Sequence, residues 1–431
     1  MVEQLAGQEG VMFSSENKTD VIIVGSGIVG IACAHYLSKT GMSVRVIDRG
    51  TISGACSHGN CGYICPSHVL PLTEPTAIKL AMKSLLNPKS PFRVRPRLSP
   101  AMWNWFWQFT RRCNHRQMLA AGVHLKSILD SSMVEYRRLM AEESIDCEWK
   151  ESGLLYVLQT EAGIDDFSKT NDLLTKEFGV TATRIEGQAL PQFDPSLKAG
   201  LAGAFFYPGD ASVRPDKLSM NWSNRLREHG VDFVEQCELT SIERVHGKIS
   251  HLQTSHGKMT AEHYVIAAGA WSTKLAKELD CRVPIEPGKG YSVTMRRPAR
   301  CPKYPMLFPE HKVGVTPFDN GYRLGSMMEF VGFDATIPKH RIAQLRSSAE
   351  PYLVDPHTDD VEETWFGWRP MTWDSLPIIG QVPRLSNAFF ATGHNMLGLS
   401  LAAATGRLLS ELMLGKPPHI DPIAFSPVRF Q

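Results

Sequence analysis

Apolar positions in the first fifty residues fall into three blocks with different periods. Asp20-Val-Ile-Ile-Val-Gly25 is a short continuous apolar run, the mark of a strand buried on both faces. Gly25-Ser-Gly27-Ile-Val-Gly30 follows, and then a helix-like stretch to Gly41. Val44-Arg-Val-Ile47 is a second buried strand, ending on Asp48. The pattern predicts strand, glycine turn, helix, strand and acid, which is the complete βαβ frame of a dinucleotide site. Gly25 permits the sharp turn, Gly27 lets backbone N–H groups approach a pyrophosphate, and Gly30 lets the helix sit close to the strand. The helix N-terminus offers partial positive charge to phosphates, and Asp48 is placed to accept from ribose hydroxyls. A purely structural glycine turn in another α/β protein is the alternative.

Further along, the pattern interleaves. A largely helical region is predicted from Thr76 to Ser144, followed by strands at 153–158 and 202–207 and a helix at Asp216–His229. Strands are predicted again at 231–237, 239–245 and 261–268, near 290–295 and 322–325, and at Ala388–Thr392. A helix from about Gly398 to Leu414 closes the pattern. This order predicts two domains, each crossed by the chain more than once. One, for nucleotide binding, takes 20–75, 208–283 and 360–431; a substrate domain takes 76–207 and 284–359.

Composition narrows the class. The 431 residues carry a formal charge of +2 and suit two cored domains, with no basic excess to argue for a nucleic-acid partner. Nine cysteines, an odd number scattered through an α/β pattern, read as reduced thiols in a cytoplasmic protein. Residues 1–19 lack the basic and apolar regions of a signal peptide and read as a disordered lead-in. No apolar run reaches the roughly 18 residues of a membrane span, which leaves peripheral membrane contact open. The Trp103, Phe106, Trp107 stripe has helical spacing; it reads as core before it reads as a membrane or quinone contact. Cys56, Cys61 and Cys65, with His58 and His68 nearby, match no usual metal or cluster spacing, so no metal is assigned.

Three later segments carry chemistry: Tyr264-Val-Ile-Ala-Ala-Gly269-Ala-Trp-Ser272, Gly367-Trp-Arg369-Pro370-Met-Thr372-Trp-Asp374-Ser-Leu-Pro377-Ile-Ile-Gly380, and Thr392-Gly393-His394-Asn395-Met396-Leu-Gly398-Leu-Ser400. Together with the βαβ unit they resemble, in order and over nearly the whole chain, the D-amino acid oxidase superfamily of FAD-dependent amine and amino-acid oxidoreductases. Within it the likeness is strongest to bacterial D-amino acid dehydrogenases of the small-subunit type. That likeness is carried by Cys56-Ser57-His-Gly59-Asn60-Cys-Gly62, Trp105-Phe-Trp107, Lys289-Gly290-Tyr291-Ser292 and Glu329-Phe-Val-Gly332-Phe-Asp334. Departures are Asp48 in place of the more usual Glu, Met327-Met328 before Glu329, and the identities of His58, Cys61 and His394-Asn395-Met396.

The resemblance implies a mixed α/β fold, a Rossmann-like FAD domain interleaved with a domain of antiparallel sheet plus helices. It implies non-covalent FAD held by Gly25, Ser26, Gly27, Ile28, Val29, Gly30, Asp48 and Arg49. Ser57, Asn60, Gly62, Leu239, Ala268, Gly269 and Trp271 join these, as do Gly393, Met396, Gly398, Leu399 and Ser400. Arg369, Tyr291 and His394 would form the catalytic group, with Arg369 gripping a substrate carboxylate as a fork. The alternatives are an Arg369–Asp374 pair and a core role for Tyr291. The implied activity is oxidative deamination of an amino acid, its electrons passing to a quinone or oxygen. Oxidation of secondary amines, a non-catalytic FAD-binding subunit, and a nicotinamide dehydrogenase are the other readings.

Overall fold

The computed structural model describes residues 19–79, 82 and 90–431. The expected lead-in therefore lies outside the described residues, except Thr19, which opens the first strand. Two sheets organise the molecule. The first contains β1 (Thr19–Val24), β2 (Val44–Ile47), β9 (Asp232–Val234), β13 (Ala261–Ile266), β19 (Ile378–Gln381) and β20 (Ala388–Thr392), in the order β19-β20-β13-β1-β2-β9. Its members are parallel except β19, which runs antiparallel to β20. A parallel sheet needs cover on both faces, and Val21, Ile22 and Ile23 of β1 are accordingly buried without regard to alternation.

The second sheet has nine strands: β18 (Val361–Thr372), β14 (Ile285–Met295), β17 (Tyr322–Phe330), β16 (Val313–Pro317), β15 (Met306–Phe308), β5 (Leu154–Leu158), β7 (Gly203–Tyr207) and β6 (Thr183–Glu186) in that order, with β4 (Phe92–Val94) alongside β17. Most of its pairs are antiparallel. Two small units complete the strands: the meander β10 (Leu239–Val245), β11 (Lys248–Thr254) and β12 (Gly257–Met259), and the pair β3 (Tyr63–Ile64) with β8 (Ala211–Ser212).

Helices with both ends among the described residues are α1 (Ile28–Ser38), α2 (Pro100–Arg112), α3 (His115–Glu143), α4 (Glu161–Phe178), the short α5 (Leu190–Phe193), α6 (Pro215–Glu228), α7 (Lys339–Ala349) and α8 (Gly398–Met413). Asn114 and Thr160 cap α3 and α4 by accepting from Gln117 N and Gly163 N, so these starts follow from the side chains that precede them. α1, α3 and α8 share one core with β1, through Ile31, Ala32, Leu125, Ile128, Ala402 and Ala403. The opposite face of the first sheet packs Ile22, Val24, Tyr264 and Phe390 with Trp105 and Phe330. That cluster joins the two sheets.

Three expectations change. Residues 361–372 pair with β14 from Met295↔Val361 to Ile285↔Thr372, so they belong with the second sheet, not with the nucleotide-binding segments. The Trp103, Phe106, Trp107 stripe is not the core face: Trp103 and Trp107 are 51% and 54% exposed, Phe106 is half-buried, and the buried tryptophan is Trp105, at 3%. An α-helix turns 100° per residue, so 103 and 107 share a face and 105 lies across from it. β4, in the region read as helical, went unforeseen because three residues leave no periodicity to read.

α1 and α8 cross closely because Gly406 has no side chain: a Cβ there would sit 2.5 Å from the carbonyl oxygen of Ala32. Gly406→Leu should destabilise the fold by about 1–3 kcal/mol, the usual cost of overpacking. A urea unfolding midpoint equal to that of the wild type would mean this contact does not set the helix spacing.

Candidate active site

One cavity of about 1260 Å³ runs between the two sheets. At its nucleotide end lie Gly25, Gly27, Ile28, Val29, Asp48 and Arg49. Gly25 turns the chain at φ +112°, and a Cβ there would lie 2.6 Å from Ala267 O, so only glycine fits beside the exit of β13. The N-terminus of α1 has no side-chain cap, which leaves its first N–H groups for a ligand, save that Ile28 N donates to Ser57 Oγ at 3.0 Å. Asp48 is fixed by Ser26, whose backbone N and Oγ donate to Oδ2 at 2.7 and 2.9 Å, and by Gly50 N at 2.9 Å to Oδ1. Oδ1, with one bond made, keeps accepting capacity for a ribose. Arg49 lies 4.1 Å from the Trp271 ring centre, stacking over the same wall.

The middle of the cavity is bounded by Ser57 and Asn60 from the loop after β2, by Ala268, Gly269 and Trp271 after β13, and by Leu239 at the start of β10. The N-terminus of α8 faces it through Met396, Gly398, Leu399 and Ser400, again with no side-chain cap. Two uncapped helix N-termini and an oriented carboxylate around one long cavity form a cradle suited to a dinucleotide cofactor, anionic at its pyrophosphate.

Four expected contact residues are not cavity walls. Ser26 orients Asp48. Gly30 lets α1 rest on β1, since a Cβ there would collide with Gly25 O. Gly62 turns at φ +85° against Val213 O, and Gly393 turns at φ +72° between Thr372 and Ile378. All four act one layer behind the surface.

The loop carrying Ser57 and Asn60 is braced by the second sheet, through residues more than 200 positions away that no local pattern links to it. Arg323 of β17, buried, donates to His58 O (3.0 Å), Asn60 O (2.8 Å) and Thr294 Oγ1 (2.9 Å). Thr316 Oγ1 donates to Cys61 O at 2.6 Å. His58 Nε2 lies 2.9 Å from Glu363, and that pair raises the imidazole pKa.

Arg369, Tyr291 and His394 all line the same cavity. Arg369 Nη1 donates to Met327 O at 2.5 Å and lies 4.0 Å from Met328 Sδ. No carboxylate pairs with it among the described residues. Asp374 is instead held by Arg429, with Nε to Oδ2 at 2.8 Å, which removes the structural alternative for Arg369. Burial pulls the guanidinium below its usual pKa, yet arginine stays charged. Tyr291 follows the core alternative: its hydroxyl donates to Glu329 at 2.5 Å, and Glu329 also binds Arg341 at 2.6 Å. Its proton is committed inside the sheet rather than offered to a substrate. His394 pairs through Nε2 with Thr405 Oγ1 at 2.9 Å, and burial lowers its pKa to about 3. It stands in the cavity wall as a neutral imidazole at neutral pH.

Cys56, Cys61 and Cys65 are free thiols; burial raises all three, Cys56 to about 11. Among the described residues no group of three or more His, Cys, Asp or Glu side chains is arranged around a metal-sized point.

A family model described as "DAO: FAD dependent oxidoreductase" matches residues 20–412. The chain belongs to this family. FAD is therefore its cofactor, and the cradle described above is where these residues fit it. The chain is 30% identical to a D-amino acid dehydrogenase of Vibrio atlanticus, over 93% of this chain and 97% of that protein. It has the same identity and coverage with a D-amino acid dehydrogenase of Granulibacter bethesdensis. Among solved structures, glycine oxidase from Geobacillus kaustophilus superposes with a TM-score of 0.75 at 23% identity, covering 95% of this chain and 98% of that one. L-proline dehydrogenase from P. horikoshii gives 0.72 at 19% identity, covering 96% and 98%. These likenesses establish the D-amino acid oxidase type of fold. No helix among the described residues is long and apolar enough to cross a membrane.

Two predictions follow from this geometry. Asp48→Ala should weaken FAD retention by about 1.5–3 kcal/mol, the worth of a hydrogen bond to a charged group. Equilibrium dialysis of the variant should release flavin at concentrations where the wild type stays yellow; equal retention would remove Asp48 from the ribose site.

The second concerns pH. Burial lowers His35 and His68 to about 4 and His394 to about 3. Between those values and the ordinary histidine pKa near 6.5, the unfolded chain binds protons that the folded chain refuses, so stability rises with pH. Asp210, raised to about 7 by burial, works in the opposite sense over the same window, as do Glu74 and Glu286, which burial also raises. Replacing His68 with Gln should therefore flatten the urea stability profile between about pH 4.5 and 6.5 relative to the wild type; an unchanged difference between the two pH values would contradict the burial of this imidazole.

Proposed function

We propose that the chain oxidises the Cα–N bond of an α-amino acid, and that water then converts the imino acid to a 2-oxo acid and ammonia. The observation that carries this reading is Arg369: a buried guanidinium with one backbone carbonyl for a partner, on the wall of the cofactor cavity. A charge so placed is costly unless an anion completes it, and a carboxylate matches its fork. Non-covalent FAD supplies a hydride acceptor at flavin N5 when bound. Arg369 anchors the carboxylate so that Cα faces that atom, and holding this geometry supplies most of the rate. The uncapped N-terminus of α8 favours the negative charge that accumulates at the cofactor. Burial makes His394 a weak base and Tyr291 donates to Glu329, so neither is suited to take the substrate's ammonium proton, and in this reading the amine enters already deprotonated. The D configuration is the reading supported by the names of the 30%-identical relatives.

For the acceptor we assign a quinone in preference to oxygen, on the likeness to the dehydrogenases. Trp103 and Trp107, exposed on α2 beside Leu98, are the candidate point of peripheral membrane contact at the cytoplasmic face.

Anaerobic mixing of the yellow protein with D- and L-amino acids and N-alkyl glycines should bleach the flavin with D-amino acids. Persistent colour with every amino acid, alongside bleaching by an N-alkyl glycine, would shift the assignment to secondary amines. Arg369→Ala should lower kcat/KM several hundred-fold or more, matching the roughly 3–5 kcal/mol cost of removing one partner of a buried charge pair, with FAD content near normal. Reoxidation of the substrate-reduced enzyme should be faster with a soluble quinone than with air at comparable concentration; the reverse would make the protein an oxidase.

A further inference from the structure

Ten Lys and Arg residues and no Asp or Glu fall between Glu74 and Asp130, in a chain whose formal charge is only +2. The rest of the chain is therefore net acidic, and the basic excess is concentrated in the stretch that carries β4 and α2. Compensation from elsewhere in the fold is partial. Arg97 pairs with the buried Glu286, and Arg95 stands 4.0 Å from Asp334. Arg93 and Arg111 are exposed, and no acidic side chain pairs with either among the described residues.

The same stretch holds exposed aromatic rings. Of the large apolar side chains exposed among the described residues, only Trp103 and Trp107 are aromatic. They lie four residues apart on α2, with Arg111 four further on, so the three share one face. The Arg111 guanidinium lies 4.6 Å from the Trp107 ring centre. The Trp103 indole donates to Arg97 O at 3.0 Å, which sets this stripe against the turn where Leu98 stands fully exposed. On β4 the side chains alternate: Phe92 and Val94 line the cavity, while Arg93 lies outside it, exposed. The cavity itself comes to the surface beside the stripe, because Trp103 and Thr110 line it and are both exposed.

Indole rings rimmed by arginines match the boundary of a bilayer, where amphipathic rings sit at headgroup level and arginines meet lipid phosphates. A fully exposed leucine among them gains from an acyl layer and nothing from a nucleic acid. We propose that β4 and α2 form a docking face for anionic phospholipid bilayers, with Trp103, Trp107 and Leu98 entering the headgroup boundary and Arg93 and Arg111 meeting phosphates. The proposal rests on the reading of Trp103 and Trp107 as a membrane contact. It adds selectivity for anionic lipid and sets the cavity mouth at the bilayer, where a lipid-soluble acceptor enters without crossing open water.

The test sediments the FAD-loaded enzyme with vesicles of phosphatidylcholine, alone or with about one third phosphatidylglycerol. Binding to the mixed vesicles should be at least about tenfold tighter, since several basic residues each add to it, and should weaken as salt shortens the Debye length. Arg93→Ser and Arg111→Ser should each weaken binding to the mixed vesicles about fivefold, the worth of one basic residue near an anionic surface. Trp107→Ser should weaken binding to both compositions. All three variants should keep dye-coupled turnover, because none of these side chains lines the cavity. Equal binding to the two compositions, unmoved by salt, leaves a membrane contact and overturns the anionic selectivity. Selective binding that neither arginine variant weakens places the site on another face and overturns this one. No binding to either composition overturns the docking face and the membrane reading together; a smaller apparent mass of Trp107→Ser on gel filtration would then assign the stripe to a second copy of the chain.

Discussion

Arg369 sits in a twelve-residue strand that pairs along its whole length with β14, and the guanidinium emerges between two sheets with no opposing carboxylate among the described residues. Leaving a charge buried and half-solvated is expensive, and the surrounding backbone is shaped to hold it there. Met327 adopts φ +70°, a left-handed conformation that a side chain of its size rarely takes, and this turns its carbonyl onto Arg369. The register of β14 against β17 shifts between Lys289 and Tyr291, opposite the same point. Gly290 has no side chain because a Cβ would strike the guanidinium. Strain, bulge and missing side chain all serve one cation.

That cation matters only because the two sheets are fastened to each other around it. Arg323 and Thr316 of the second sheet hold three carbonyls of the loop that bounds the cofactor cavity. From the other side, Asn395, just before α8, donates its backbone N–H to Pro370 O and accepts from Thr372 N, the residues that follow Arg369. The cofactor cradle and the anion site are therefore one rigid construction. A change on β17 reaches the flavin loop, and a change at the start of α8 reaches Arg369.

The sequence made the nucleotide half legible because its constraints are local. A βαβ unit, a glycine turn and an acid are read from adjacent residues; β1, β2, β13, β20 and α8 appear within two residues of where periodicity placed them, and α1 within three. The other half depends on pairing across hundreds of residues. Nothing near Tyr291 announces that its hydroxyl will donate to Glu329, which Arg341 also holds, and nothing near Asp374 announces Arg429. The aromatic segment 102–109 misled for a different reason. Its tryptophans alternate at every second position, so a helix must send them to opposite faces, and composition alone does not say which face meets the core. Residues 361–372 were grouped with their neighbours in sequence, whereas the long antiparallel register with β14 takes them to the other sheet.

The central claim is an anion site in the cofactor cavity, centred on Arg369. It is tested most directly by titrating the oxidised holoenzyme with 3-phenylpropanoate and with its neutral amide, following the flavin absorption bands. The account predicts a saturable perturbation by the carboxylate, none by the amide, and loss of the carboxylate response in Arg369→Leu with FAD still bound. Equal perturbation by acid and amide, or an unchanged carboxylate response in the variant, would contradict it.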